Sequence, residues 1–242
     1  MKFCRFDDNR LGVVRGDLVH DVTPVLAALP ALAWHLPPSD HFFHHFAALR
    51  PQMEALAATV PGRPAASVRV LAPVANPGKI VAAPVNYQLH LDESRADAGI
   101  NFGSQIKTIA DYGVFLKATS SLIAPSDPVI LDRTDRRTDH EIELALVIGR
   151  TARRVSEAEA LDHVAGYMIG LDMTIRGTKD RSYRKSLDTF TVLGPWCVTA
   201  DEFGAPSDVG FDLHLDGELR QKSNSDLLIW GVRKLIAYAS GA

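Results

Sequence analysis

The distribution of apolar and polar positions divides the chain into an N-terminal stretch of mixed character and a longer stretch dominated by strands. Residues 2–22 alternate short apolar groups with turn-forming clusters, which predicts a small antiparallel β-meander. Residues 23–57 place apolar side chains at helical spacing and are punctuated by proline, so we predict helices there. Residues 68–84 resemble short strands broken by proline and glycine and indicate the entry into a second structural unit.

From Val114 onward, runs of β-forming residues dominate the pattern. Strands are predicted over Val129–Leu131, Leu144–Ile148, Tyr167–Leu171, Trp196–Val198 and Phe211–Leu215. Helical spacing returns in residues 156–163, where Ser156 and Glu159 stand at capping-box spacing, and in residues 225–238. Many strands with few helices, and no glycine-rich nucleotide loop after any strand, predict a β-rich α+β fold without a dinucleotide or ATP site.

Composition narrows the class of protein. Of 242 residues, 46% are hydrophobic and 23% charged, close to globular averages, so the chain has material for a packed core. The apolar stretches are shorter than the ~18 residues of a membrane span, and acids occupy the place of a signal-peptide core. Cys4 and Cys197 make no disulfide framework, and a net charge of −3 provides no broad basic surface. We therefore expect a cytoplasmic protein without nucleic-acid or membrane partners.

Three carboxylates stand where the surrounding sequence is apolar. Between Asp139 and Gly149, the period of two predicts that Glu141 and Glu143 share one face of a strand. Asp172 interrupts another apolar run near its end. Neighbouring like charges require solvent or a cation, so two interpretations remain open. The acids either face water at strand ends or bind a hard cation such as Mg²⁺, Mn²⁺ or Ca²⁺.

Histidines occur in two helical patterns. His90 and Glu93 are i, i+3 neighbours, an arrangement in which a carboxylate can orient an imidazole as a general base but which is also common in surface pairs. His41, His44 and His45 also share a predicted helix face. No thiol and only one carboxylate lie near these three in sequence, so we interpret them as a solvated face.

Cationic residues concentrate in residues 176–185 of an otherwise acidic chain. Such local positive charge suits an anionic substrate such as a keto acid, and the alternative is a solvated polar loop. We expect Lys185 to lie in a polar loop with little packing. Lys117 has mainly apolar neighbours and is either a snorkelling lysine or a catalytic cation.

A set of motifs follows in order from about residue 71 to the end of the chain. They are Asn76-Pro77-Gly78-Lys79-Ile80, Asn86-Tyr87-x-x-His90-x-x-Glu93, Phe115-Leu116-Lys117, His140-Glu141-Ile142-Glu143-Leu144, Val147-Ile148-Gly149, Gly170-Leu171-Asp172-Met173-Thr174-Ile175-Arg176, Lys185-Ser186-Leu187-Asp188 and Gly194-Pro195-Trp196. In this order they resemble the motifs of the fumarylacetoacetate hydrolase family. The ordered set is far more specific than any single motif.

The resemblance implies a fold and a metal site. The fold would be the family's mixed β-sandwich roll, with residues 1–70 as a small N-terminal domain and residues 71–242 as the catalytic domain. Glu141, Glu143 and Asp172 would bind Mg²⁺, or alternatively Mn²⁺ or Ca²⁺.

The resemblance also implies catalytic roles. His90 and Glu93 would activate water from a lid segment, and Lys185 with Lys117 would stabilise negative charge on a small anionic keto acid. The family's shared chemistry forms a metal-bound enolate from a keto acid or 1,3-dicarbonyl compound, which agrees with a hard cation holding adjacent oxygens.

Two departures from the family pattern affect these expectations. Gly177 follows Arg176 where the family usually has Asp, which weakens the expected local support for that arginine. The sequence stops at Ala242, before the family's Pro-Gly-Asp turn and Gly-Thr-Pro-x-Gly loop. We therefore expect the catalytic domain to lack its C-terminal part.

The resemblance implies a metal-dependent hydrolase that cleaves C–C bonds of acylpyruvates or 1,3-dicarbonyl keto acids in aromatic catabolism, acting as a homodimer as is common in the family. The alternative within the fold is an isomerase or decarboxylase of an unsaturated keto diacid or oxaloacetate. The alternative of another class is a catalytically inactive metal- or ligand-binding protein.

Overall fold

The computed structural model describes residues 1–35 and 39–241. The strands in these residues are β1 (Lys2–Phe6), β2 (Arg10–Arg15), β3 (Leu18–Asp21), β4 (Gly62–Pro64), β5 (Val70–Leu71), β6 (Ile80–Ala82), β7 (Phe115–Lys117), β8 (Leu122–Ile123), β9 (Thr138–Asp139), β10 (Ile142–Ile148), β11 (Val164–Asp172), β12 (Thr174–Ile175), β13 (Thr191–Thr199), β14 (Gly210–Leu215) and β15 (Glu218–Asn224). The α-helices are α1 (His41–Ala57), α2 (Gln88–Ala96), α3 (Ala98–Asn101), α4 (Ile109–Tyr112), α5 (Arg181–Lys185), α6 (Ala200–Phe203) and α7 (Val232–Ala239). Short 3₁₀ helices span Thr23–Ala28, Ala65–Ser67, Thr119–Ser121, Ala160–His163 and Ser225–Leu227.

One mixed sheet organises the molecule. Its main strand order is β10-β11-β13-β1-β2-β3-β4, with β5 paired to β1 and β8 paired in parallel to β13. Strands β1, β2 and β3 are consecutive and antiparallel, which confirms the predicted meander. Together with the seven α-helices of the described residues, this sheet gives the predicted β-rich α+β fold.

The N-terminal strands belong to the same sheet as the later ones. Strand β1 pairs antiparallel with β13, with Lys2 opposite Val198 and Phe3 opposite Cys197. Phe3 also shares a buried apolar cluster with Met168 of β11. Residues on both sides of residue 70 thus contribute to one sheet and to one buried cluster. The division into two domains at residue 70 stays a prediction.

Helix α1 covers one face of the sheet. Asp40 caps it by accepting hydrogen bonds from the backbone N–H groups of Phe42 and Phe43, at 3.1 and 3.3 Å. Its buried residues recur every three or four positions and pack against the sheet: Phe43, Phe46, Leu49, Met53 and Ala57. Within residues 23–57 the predicted helical character is confirmed for Thr23–Ala28, as a 3₁₀ helix, and for His41–Ala57. Residues 29–35 and 39–40 are not helical, and residues 36–38 lie outside the described residues.

Three local predictions differ from the structure. The strand predicted over Val129–Leu131 is wrong: the segment is irregular, and Ile130 N–H donates to Thr189 Oγ1 at 2.8 Å instead of joining a sheet. In residues 156–163 only Ala160–His163 is helical, as a 3₁₀ turn, although Ser156 and Glu159 do exchange capping hydrogen bonds. The helix predicted over residues 225–238 is interrupted between Leu227 and Val232.

None of the helices within residues 1–35 and 39–241 is long and apolar enough to cross a membrane.

Candidate active site

The three predicted carboxylates line one cleft, at the sheet edge where β10 begins and β11 ends. Strands β10 and β11 are antiparallel, with Ile142 opposite Leu171, so the start of one strand lies beside the end of the other. The backbone N–H of Asp172 donates to the carbonyl of Glu141 at 2.8 Å. As the period of two predicts, Glu141 and Glu143 face the same side.

Lys185 lies between two of these carboxylates. Its ammonium donates to Asp172 Oδ2 at 2.7 Å and also contacts Glu141 Oε2. Although burial opposes the charged form, the two carboxylates hold the pKa of Lys185 above its ordinary value. The expectation of a polar loop with little packing is wrong, because Lys185 is 6% exposed and ends helix α5.

Lys117, the last residue of β7, contacts Asp172, one of the two carboxylates that Lys185 also contacts. Its ammonium contacts Asp172 Oδ1 and donates to the carbonyl of Phe190 at 2.9 Å. Burial lowers the pKa of Lys117, an effect that the nearby Asp172 partly offsets. At 5% exposure Lys117 is a buried cation and not a snorkelling lysine.

Arg176 supports Glu141 despite the departure at Gly177. Its guanidinium donates to Glu141 Oε1 at 2.8 Å and to Asp139 Oδ2 at 2.7 Å. Burial raises the pKa of Glu141, but the cations of Lys185 and Arg176 outweigh burial and hold it below the ordinary value.

Further ion pairs connect Asp139, the second partner of Arg176, to the junction of α2 and α3. Arg137 donates to Asp139 at 2.7 Å and to Asp97, between α2 and α3, at 2.8 Å. The sequence reasoning missed Arg137 and Asp139. Their alternation with Glu141 at a period of two is the signal that could have found them.

His90 and Glu93 lie on α2, as the i, i+3 spacing predicts. His90 Nδ1 is 3.1 Å from Glu93 Oε2, and His90 lines the cleft, while Glu93 is mostly exposed. The carboxylate therefore holds one ring nitrogen of His90 and leaves Nε2 for another partner.

Ser94, one turn after His90 on the same helix, was not singled out by the sequence reasoning. Its buried hydroxyl lines the cleft and has no hydrogen-bond partner within the described residues. Its i+4 spacing from His90 is the available sequence signal.

Glu143 differs from the other two carboxylates. In the part of the chain that the structure describes, it forms no ion pair, and burial together with the charges of Asp172 and Glu141 raises its pKa to about 8. No preformed group of three or more acidic, histidine or cysteine side chains at metal-binding separation occurs in residues 1–35 and 39–241. The ammonium of Lys185 stands between Glu141 and Asp172 instead.

The donor set nevertheless fits a hard cation. All three side chains offer carboxylate oxygens to one cleft, and Glu143 lacks the compensating positive charge that its neighbours have. A divalent cation would supply that charge. Binding there requires the three carboxylates to turn toward a common point and the Lys185 ammonium to leave the space between Glu141 and Asp172. Their role as ligands stays a prediction.

Replacement of Glu143 by glutamine is expected to weaken Mn²⁺ binding by at least about 10- to 100-fold in calorimetric titration, since loss of a direct ligand should cost no less than loss of an outer-shell partner. A proton competes with the cation for a carboxyl whose pKa is about 8, so wild-type affinity should rise with pH between roughly 6.5 and 8. The Glu143→Gln variant should lose most of that dependence. The exposed Glu157→Gln variant is the control, and equal affinity and pH dependence in all three proteins would remove Glu143 from the site.

Comparison with known proteins places these residues in a family. The family described as fumarylacetoacetate (FAA) hydrolase C-terminal matches residues 79–242. A maleylpyruvate hydrolase of Aquipseudomonas alcaligenes is 51% identical over 242 residues, covering 99% of this chain and 84% of the relative. A 2,4-didehydro-3-deoxy-L-rhamnonate hydrolase of Sphingomonas sp. (strain SKA58) is 36% identical, covering 99% and 78%.

A solved structure shows the same fold. The maleylpyruvate hydrolase of Sphingobium sp. SYK-6, in complex with manganese(II) ion and pyruvate, superposes with a TM-score of 0.81 at 38% identity and covers 99% of this chain and 83% of that one. The chain belongs to the fumarylacetoacetate hydrolase family.

Proposed function

We propose that this protein is a divalent-metal-dependent hydrolase that cleaves the C–C bond of an acylpyruvate such as maleylpyruvate. The observation that supports it most is the convergence of three carboxylates, a buried lysine and a histidine on one cleft. The similarity over nearly the whole chain to a maleylpyruvate hydrolase gives the substrate class.

Glu141, Glu143 and Asp172 would hold the cation. When bound, a divalent cation supplies a Lewis acid toward the oxygens of the keto acid. The related hydrolase from Sphingobium binds manganese(II), and we propose Mg²⁺ as the ion used by this protein, since both ions prefer carboxylate oxygens.

His90 would act as the general base on water. With Nδ1 held by Glu93, Nε2 can take a proton from a water molecule that attacks the acyl carbonyl carbon. The C–C bond then breaks, its electron pair passes to the pyruvyl fragment as an enolate, and a proton returned to that carbon gives pyruvate. Maleylpyruvate and water would thus give maleate and pyruvate.

The buried lysines would stabilise the negative charge that develops on the pyruvyl fragment. Lys185 lines the cleft beside Glu141 and Asp172, which favours the charged form of its side chain. Lys117 contacts only Asp172 among these carboxylates, so its main effect is to hold that carboxylate in place.

The remaining proposals concern the setting. We infer a homodimer that acts in the cytoplasm in aromatic catabolism. These proposals rest on the family resemblance of the motifs.

A product assay tests the reaction. With Mg²⁺ or Mn²⁺, maleylpyruvate is expected to yield equimolar maleate and pyruvate, a chelator should abolish turnover, and added metal should restore it. Turnover of oxaloacetate without cleavage of any acylpyruvate would favour the isomerase or decarboxylase instead. Metal binding without turnover of either compound would favour the inactive binding protein.

A further inference from the structure

Two arginines in the cleft have no acidic partner. Arg181 and Arg184 line the same cleft as the three carboxylates, and neither forms an ion pair within residues 1–35 and 39–241. In contrast, Arg176 and Lys185 in the same cleft are each paired with two carboxylates. The cleft thus presents two arginines that no acidic side chain of the described residues neutralises.

The two arginines are held differently. Arg184 donates to the backbone carbonyls of Lys179 and Ile175, at 2.8 and 3.1 Å, so most of its hydrogen-bonding capacity serves the fold. Arg181 lies over the ring of Tyr112, with its guanidinium carbon 3.8 Å from the ring centroid. Unlike Arg184, Arg181 donates to no backbone carbonyl within the described residues, so it is the arginine with N–H groups to offer a ligand.

The stacking on Tyr112 prepares Arg181 for a carboxylate. The backbone N–H of Lys107 donates to Tyr112 Oη at 3.2 Å and fixes the ring that supports the guanidinium. A guanidinium supported by an aromatic ring keeps N–H groups for a ligand, and its fork of donors matches the two oxygens of a carboxylate. Because the side chain of Arg181 is already held in the free protein, ligand binding loses less side-chain conformational entropy.

The position of Arg181 relates it to the reacting end of the cleft. Arg181 and Lys185 are the first and last residues of α5, an i, i+4 pair on one helix face with Cβ atoms roughly 5–6 Å apart. Lys185 contacts Glu141 and Asp172, so Arg181 lies about one helical turn from them. Ile100 and Phe115 contribute apolar surface to the same cleft.

We propose that Arg181 binds a second carboxylate at the far end of the acyl chain, so that the preferred substrates are acylpyruvates whose acyl group is itself an acid. This assignment rests on the proposed hydrolase function. The pyruvyl end would lie at the three carboxylates and Lys185, the carbon chain would contact the apolar surface, and the terminal carboxylate would pair with Arg181. Arg184 adds positive potential without binding the ligand directly.

The test compares two substrates of one carbon skeleton, with Mg²⁺ present. One is maleylpyruvate, and the other is the analogue in which a methyl group replaces its terminal carboxylate. The wild-type protein is expected to prefer maleylpyruvate in kcat/KM. Arg181→Met should lower kcat/KM for maleylpyruvate roughly 10- to 150-fold, mainly through KM, and change that for the methyl analogue less than about threefold.

Matched variants separate this role from general charge and from folding. Lys179→Met removes an exposed cation of the same segment and should leave both substrates unaffected. Tyr112→Phe keeps the supporting ring and should retain the preference, whereas Tyr112→Ala should lose part of it. Arg181→Lys should recover part of the activity toward maleylpyruvate.

The outcomes distinguish the inference from the function on which it rests. If wild-type protein cleaves both substrates equally well, or if Arg181→Met reduces both equally, the role of Arg181 is overturned while the hydrolase function stands. If wild-type protein cleaves neither substrate, the hydrolase function is wrong and the assignment of Arg181 falls with it.

Discussion

Replacement of His90 by alanine is expected to lower kcat for acylpyruvate cleavage about 10²- to 10⁴-fold, the usual contribution of a general base. The expectation follows from an imidazole that lines the cleft with Nδ1 held by Glu93 and Nε2 free. Mn²⁺ affinity should change less than about threefold, since His90 is not among the proposed ligands. Steady-state rates and calorimetric titration on the same preparation measure both quantities.

A graded control distinguishes the base from its orienting partner. Glu93→Gln keeps an acceptor for His90 Nδ1 but removes the negative charge, so its loss of kcat should be smaller than that of His90→Ala. A loss below about tenfold for His90→Ala, with metal binding intact, would show that another group activates the water.

Replacement of Lys185 by methionine is expected to reduce both stability and activity. The change leaves Glu141 and Asp172 without their shared cation, and removal of one partner from a buried ion pair costs about 3–5 kcal/mol. If Lys185 also stabilises developing negative charge, kcat/KM should fall about 10²- to 10³-fold. This factor corresponds to ~2.7–4 kcal/mol of lost transition-state stabilisation, as for the loss of one oxyanion donor. Chemical denaturation and steady-state kinetics give the two values.

Metal and charge controls separate these two effects. Added Mn²⁺ should recover part of the lost stability, because a divalent cation would neutralise the same carboxylates, but it should not recover turnover. Lys185→Arg keeps the charge and should be much less destabilised. Near-wild-type kcat/KM in folded Lys185→Met would show that Lys185 has only a structural role.

A series of alternating charges links the junction of α2 and α3 to the carboxylates. It runs from Asp97 through Arg137, Asp139 and Arg176 to Glu141 and continues through Lys185 to Asp172 and Lys117. Asp97 and Arg137 are partly exposed, whereas Arg176 and Glu141 are buried, so the interactions strengthen from Asp97 toward the cleft. This arrangement explains how Arg176 remains anchored although Gly177 provides no local acid.

The sequence by itself determined the features that depend on local periodicity. The alternation of strands puts Glu141 and Glu143 on one face, and helical spacing puts His90 beside Glu93. The turn-separated apolar groups of residues 2–22 specified a meander in the same way. The strand prediction was wrong at Val129–Leu131, because this segment has no neighbouring strand to pair with in the described residues.

Only the tertiary structure decided the features that depend on contacts between distant segments. The pairing of β1 with β13 joins the N-terminal meander to the main sheet, which no local pattern reveals. Lysine is usually a surface residue because its side chain is charged. Lys185 is nevertheless buried, because it contacts Glu141 and Asp172, which lie 44 and 13 positions away in the sequence. Likewise Arg181 gains its place only because the chain folds Tyr112 beneath it. Charge in a sequence shows which groups need partners, and the fold determines which partners they meet.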